Sequence, residues 1–337
     1  MTGRVYLDWN ATAPLRSEAR TAMIAALDVV GNPSSVHAEG RAAKAIVEKA
    51  REAVAETVGC KAREVVFTSG ATEAAGVLAG FGAVTVDPTA HDCLQAHANG
   101  QGGLLAMGLA NSETGVLSEV PAHQGPLLLD VVQAVGRVPF AFGWSGADFA
   151  IISAHKIGGP KGVGALIVRG GMDIPSLRPG GGQEMGRRSG TENVAGIAGF
   201  GAAAAAAARD LADGVWQPVA ELRDGLEARL AAATDDTIFV GKDGPRLPNT
   251  SCILTPGWKG ETQVMQMDLA GFAVSAGSAC SSGKVRASRV LKAMGFGETE
   301  AASAIRVSLG PLTRSEDVER FAGAWIEAYA RHRARAA

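Results

Sequence analysis

The chain has 337 residues, 47% of them hydrophobic and 20% charged, with a net charge near −2. That length exceeds one ordinary core, so one large and one smaller domain are expected. The near-neutral balance argues against a nucleic-acid binder or a protein held on an anionic membrane, and four cysteines without a C-x-x-C pair argue against a disulfide framework or a zinc site.

Strand-like Val5-Tyr6-Leu7 follows Met1-Thr2-Gly3-Arg4 directly, so no signal peptide is expected and the cytoplasm is the expected compartment. Helical patterns at 16–29 and 41–58, the second closed by Gly59, come next. Apolar strand runs at 64–68, 84–87, 104–108, 127–130, 149–153 and 164–168 then alternate with helical stretches such as 72–78. This alternation predicts an α/β protein with a mostly parallel sheet sandwiched by helices. Helices are predicted at 193–212 and 216–233. The alanine-rich stretch 195–208 is 14 residues, too short to span a bilayer, and reads as packed on the sheet. Composition shifts after Asp243, with Gly244-Pro245 and Pro248 marking a boundary. Beyond it, strands near 251–254, 273–275 and 304–308 and helices near 261–269, 288–294 and 315–332 form an α+β group. The basic run Arg331-His332-Arg333-Ala334-Arg335 suits a helix C-terminus facing its own dipole.

The most informative stretch is Ser153-Ala154-His155-Lys156-Ile157-Gly158-Gly159, leaving the buried strand at 149–153. A lysine there, beside a hydroxyl, an imidazole and a glycine turn, suits a partly desolvated amine that forms a Schiff base. Upstream, the strand Leu127-Leu128-Leu129-Asp130 ends in a carboxylate, and Gln133 follows three residues later. A Schiff-base lysine with an aspartate for a pyridinium nitrogen is the pair that pyridoxal 5'-phosphate requires. Ser69-Gly70-Ala71-Thr72, between a strand and a helix, reads as an anion-holding turn. Cys280 lies among Ser, Ala and Gly residues from Ser275 to Gly283, which offer little to bury a sulfur. Cys60, Cys93 and Cys252 read as structural.

These segments resemble group I cysteine desulfurases (NifS/IscS-like) of the class V aminotransferase family, fold-type I pyridoxal-phosphate enzymes. The resemblance also rests on Tyr6-Leu7-Asp8-Trp9-Asn10-Ala11-Thr12, Gly31-Asn32-Pro33-Ser34-Ser35, Gly180-Gly181-Gly182-Gln183-Glu184, Arg188-Ser189-Gly190-Thr191-Glu192-Asn193 and Ile305-Arg306-Val307-Ser308, in order over roughly 5 to 312. It implies a large cofactor domain over 13–246 and a small domain made of 1–12 and 247–337. It implies Lys156, Asp130, Gln133, Ala71, Thr72, Ser153, His155, Thr191 and His91 around the cofactor, with His91 stacked on the ring and moving protons. Thr191 would reach the phosphate of a neighbouring subunit in a homodimer. Arg306, with Asn111 and Asn32, would bind the L-cysteine substrate, the arginine fork gripping its α-carboxylate. Cys280 would take the sulfur as a persulfide, leaving L-alanine, and pass it to an acceptor: an iron–sulfur assembly scaffold or a tRNA-thiolation enzyme.

Three departures from the family pattern stand out. Ser112 replaces the second asparagine of Asn111-Ser112-Glu113-Thr114-Gly115. Only 20 positions separate His91 from Asn111 and 17 separate Glu113 from Asp130, as though a helix were trimmed from each interval. The chain also ends 31 residues after Arg306, which weakens an iron–sulfur scaffold as the particular partner. Selenocysteine lyase, a kynureninase-like hydrolase or an aminotransferase are the rival activities on the same scaffold. A non-catalytic paralogue serving as an assembly subunit is the rival of a different kind.

Overall fold

The structure, a computed structural model, describes residues 3–170, 172–277 and 287–336. In chain order the elements are β1 (Val5–Tyr6), α1 (Ser17–Leu27), α2 (Ala38–Val58), β2 (Val65–Thr68), α3 (Ala71–Ala74), β3 (Val84–Val86), α4 (Asp92–Gln95), β4 (Leu104–Gly108), β5 (Leu127–Asp130), β6 (Phe149–Ser153), β7 (Gly164–Val168), α5 (Val194–Ala212) and α6 (Trp216–Ala231). They continue as β8 (Ile238–Phe239), β9 (Thr250–Leu254), α7 (Gly260–Leu269), β10 (Phe272–Ala273), β11 (Ser275–Ala276), α8 (Arg289–Ala293), α9 (Glu298–Ala301), β12 (Ala304–Ser308) and α10 (Ser315–Ala336). The chain divides into two compact units. One comprises Thr12–Ala110 and Ser118–Asp213; the other comprises Met1–Ala11, Asn111–Leu117 and Gly214–Ala337.

The first unit is built on a six-stranded sheet in the order β2-β7-β6-β5-β4-β3. Strands β3 to β6 are mutually parallel, and β7 runs against both of its neighbours. Every residue of β6 and β7 is buried, which is why these strands read as unbroken apolar runs rather than as alternating ones. One face carries a cluster of Val66, Leu78, Leu94, Leu128, Phe149 and Leu166. Phe67, the next residue along β2, meets Phe200 of α5 edge-on at 6.2 Å. Helix α5 packs against α1 and α2. A Cβ on Gly201 would stand 2.6 Å from the Ala50 backbone of α2, so the small residues of α5 allow a close helix approach. At 19 residues α5 is long and apolar enough to cross a membrane, longer than the 14-residue stretch expected from sequence. Its buried Ile197, Phe200, Ala203 and Ala207 mark it as a core helix of this sheet.

The parallel register sets the useful edge. Thr68, Gly108, Asp130 and Ser153 close β2, β4, β5 and β6 at the same end of the sheet, where β7 begins at Gly164. Ligands of open parallel sheets bind beyond such strand ends. The two short intervals have plain structural counterparts. The β3–β4 crossover carries only the four residues of α4, and the 109–126 connection contains no helix.

The second unit has an antiparallel sheet, β11-β12-β9-β8, and a parallel pair, β1-β10. Pairing of Val5 with Phe272 places the N-terminal strand with the C-terminal half of the chain. Trp325 and Tyr329 of α10 stack on each other, and Trp258, just before α7, tilts against Trp325. The division of the chain differs from a boundary at residue 246. Helix α6 groups with the second unit because Glu227 takes a two-point ion pair from Arg246, at 2.6 Å for each bond, and a hydrogen bond from Ser251 at 2.7 Å. Arg223 adds a bond to the Leu247 carbonyl at 2.7 Å. A composition shift cannot reveal such side-chain ties, and residues 111–117 join the same unit out of sequence order.

Candidate active site

Lys156 leaves β6 on a short turn held by backbone bonds: Ala154 N to Val163 O at 3.1 Å, Gly159 N to Ala154 O at 2.9 Å and Ala13 N to His155 O at 2.9 Å. Gly158 sits at φ 85°, and a Cβ there would meet the Arg16 side chain at 2.6 Å, so this turn requires glycine. Lys156 is half-buried. Its carbonyl accepts from Arg137 Nη2 at 3.1 Å, and Arg137 Nη1 donates to Gln133 Oε1. Arg137 is only 3% exposed. Arg137 thereby fixes the Gln133 carbonyl and the Lys156 turn together.

Asp130, at the end of β5, has its pKa raised by withdrawal from water, only partly offset by a hydrogen bond from Val132 N and by the charges of His91 and Lys156. His91 caps the first turn of α4, accepting from Cys93 N through Nδ1 at 3.2 Å. With Nδ1 accepting, Nε2 is the ring nitrogen that carries a hydrogen. Burial, then the charges of Lys156 and Lys161, depress His155 to about 4. It is therefore a neutral imidazole at physiological pH, with Nδ1 3.2 Å from Thr12 Oγ1.

Ser153 and Thr68 both pair with Gly164, which brings the Ser69–Thr72 turn beside the Lys156 strand. Gly70 has no side chain to cap α3, and a Cβ there would meet nothing within 4 Å. Ala71 is half-buried and Thr72 exposed. Glu73 braces the turn. Burial alone would raise its carboxyl, but bonds from Arg188 at 3.0 Å and from Ser69 N at 2.6 Å bring it down to about 2. The residues Arg188-Ser189-Gly190-Thr191 are thereby tied to the same turn, and Thr191 is exposed.

These groups fit a phosphorylated pyridine aldehyde. An open, uncapped turn and neutral donors suit the phosphate, a desolvated carboxyl suits a ring nitrogen, and a lysine on a rigid turn suits the aldehyde.

The second unit holds Arg306 on β12. Its side chain is 9% exposed, with Nη2 2.7 Å from Asp8 Oδ1 and Nη1 3.0 Å from the Ser112 carbonyl. Asn111 Oδ1 accepts from Glu113 N at 2.9 Å and Thr114 N at 3.0 Å, which closes a turn. In the first unit, Asn32 Oδ1 likewise accepts from Ser34 N at 2.9 Å. Both asparagines thus serve local backbone. Cys280 lies outside the described residues. The other three thiols are poor nucleophiles. Burial pushes Cys60 and Cys93 up to about 12 and raises Cys252, fully buried in β9, further still. Sequence reasoning missed Arg137 and the Asp8–Arg306 pair. Asp8 was visible inside a motif, but nothing in a lone carboxylate names its partner.

Comparison with known proteins identifies the family of the chain. The aminotransferase class-V family pattern matches residues 5–91 and 87–321. The chain is 38% identical to a cysteine desulfurase of Cereibacter sphaeroides, with 94% of this chain and 93% of that protein matched. It is 34% identical to an IscS-like cysteine desulfurase of Mycobacterium tuberculosis over 93% of each. The X-ray structure of a NifS-like protein from Rickettsia africae superimposes with a TM-score of 0.88 at 31% identity, covering 97% of this chain and all of that one. Such proteins are generally pyridoxal-phosphate enzymes. Matched along almost its whole length by pattern, sequence and fold, the chain belongs to the class-V aminotransferase family.

Proposed function

We propose that this chain is a cysteine desulfurase that uses pyridoxal 5'-phosphate, converts L-cysteine to L-alanine and carries the sulfur as a persulfide on Cys280. The observation that carries the reading is the convergence of Lys156, Asp130 and neutral His155 at one sheet edge, beside an uncapped turn. Ser153, His155, Ala71 and Thr72 hold the phosphate. Asp130, unfavourable as a lone anion, gains a cation when the ring nitrogen is protonated. Gln133, held by Arg137, would be a polar neighbour of the ring. The bound cofactor supplies an electron sink for the substrate Cα.

The protein's own groups do the rest. Arg306 binds the substrate α-carboxylate, and Asn111 and Asn32 are further candidates for binding the substrate. The Lys156 amine takes and returns the proton at Cα, and His91 Nε2 moves a second proton. The Cys280 thiolate attacks the cysteine sulfur. An S–S bond forms, the C–S bond breaks with its electrons left on carbon, and a proton at Cβ completes alanine. One thiol and one cysteine thus give one persulfide and one alanine. A thiol-bearing acceptor, on a scaffold for iron–sulfur assembly or on a tRNA-thiolation enzyme, then takes the sulfur. A cytoplasmic homodimer in which Thr191 reaches the neighbouring phosphate belongs to the same proposal. The test is to incubate the yellow, cofactor-loaded protein with L-cysteine and a thiol reductant. Equal amounts of alanine and sulfide are expected; cofactor-loaded protein that yields neither contradicts the reading.

A further inference from the structure

Arg306 meets two acceptors and lacks a third. Nη2 pairs with Asp8 Oδ1 at 2.7 Å, Nη1 donates to the Ser112 carbonyl at 3.0 Å, and Nε, fully buried, has no acceptor among the described residues. A buried N–H left in this way points to a ligand that completes it. Asp8 is itself fixed. Its Oδ2 accepts from Ser275 Oγ at 2.9 Å, its carbonyl accepts from Tyr6 OH at 3.0 Å and Ala11 N at 3.0 Å, and its backbone bridges Ser308. Ser275 in turn lies directly opposite Arg306 across β11 and β12.

We propose that Asp8 is a positioning residue that orients Arg306 for a substrate carboxylate and, as an anion on the same guanidinium, limits how tightly that carboxylate is held. The proposal rests on Arg306 being the carboxylate clamp. With Asp8 and a ligand both ionised, two negative charges share one positive charge. Their mutual repulsion acts on substrate and on product alanine alike, because both carry the same carboxylate. Asp8 therefore weakens binding of the product as much as of the substrate, which favours release.

The test is alanine binding, read from the change in visible absorbance of the cofactor-loaded protein, alongside KM for cysteine. Asp8→Asn keeps an oxygen for Nη2 and an amide for Ser275 but removes the charge. It should tighten alanine and lower KM together by at least about fivefold, the repulsion of two like charges ~4 Å apart even at its bulk-water minimum. Asp8→Ala removes the orienting oxygen as well and should loosen both. A purely structural role predicts that the two variants loosen binding alike, and that outcome, or no change in either, overturns the proposal. Arg306→Gln separates the underlying reading. If it leaves alanine affinity intact, the clamp itself is wrong; if it weakens alanine while Asp8→Asn does not tighten it, only the role of Asp8 falls. Should Asp8→Asn fail to fold, Asp8→Glu keeps the charge but displaces it and must loosen alanine; an unchanged affinity there also overturns the proposal.

Discussion

The strand-end cluster of the first unit and the Arg306 cluster of the second solve the problem of buried charge in opposite ways. At the strand ends, desolvation moves the ionisable groups toward their neutral forms: Asp130 is raised and His155 is depressed to about 4. Around Arg306 the charge is kept and paired, with Asp8 at 2.7 Å. On the proposed function, the first arrangement would gain its charges from a bound cofactor, whose phosphate and ring nitrogen would supply what the protein lacks. The second is charged before any ligand arrives and must share. A site that completes itself on binding and a site that competes with its ligand should respond differently to substitution.

The largest effect is expected at the centre of the first cluster. Lys156→Ala should lower turnover by about three to four orders of magnitude, the scale of a lost proton-transfer group, and abolish the lysine-linked visible absorbance. Stopped turnover with the absorbance retained would remove the lysine from the cofactor. Asp130→Asn comes next. It should cost about two to three orders in turnover with cofactor still bound, because the electrostatic partner of the ring is lost without the anchor. Arg137→Met should weaken cofactor binding about tenfold, measured by titrating the apoprotein, since it leaves Gln133 unoriented and the Lys156 carbonyl short of a donor. The smallest effect concerns the brace of the phosphate turn. Glu73, depressed from about 4.5 to about 2, stabilises the folded protein above its unfolded pKa. That contribution is lost as pH falls from about 4.5 toward 2, so urea midpoints over this window should fall less steeply in Glu73→Gln than in the parent. Parallel slopes would remove the ion pair from the account.

Much of the first unit was legible in the sequence because buried parallel strands leave continuous apolar runs. All six predicted strands lie within two residues of β2 to β7 at each end. The one-turn helices α4 and α9 were not legible, since four residues carry no period, and neither was the two-residue β8. The cofactor-side candidates follow from motifs at strand ends, where residue type and position together specify chemistry. Arg137 escaped because one of its partners is a backbone carbonyl, which no residue type reveals. Asn32 and Asn111 show the converse limit. An amide suited to a ligand is equally suited to closing its own turn, and here each Oδ1 does so.

The measurement that bears most directly on the central claim is alanine release from L-cysteine, with reductant present, by the parent and by Cys280→Ala. The account predicts alanine from the parent and none above background from the variant, both retaining the visible absorbance of bound cofactor. Equal alanine from the two would contradict it, because the sulfur would then leave cysteine without this thiol.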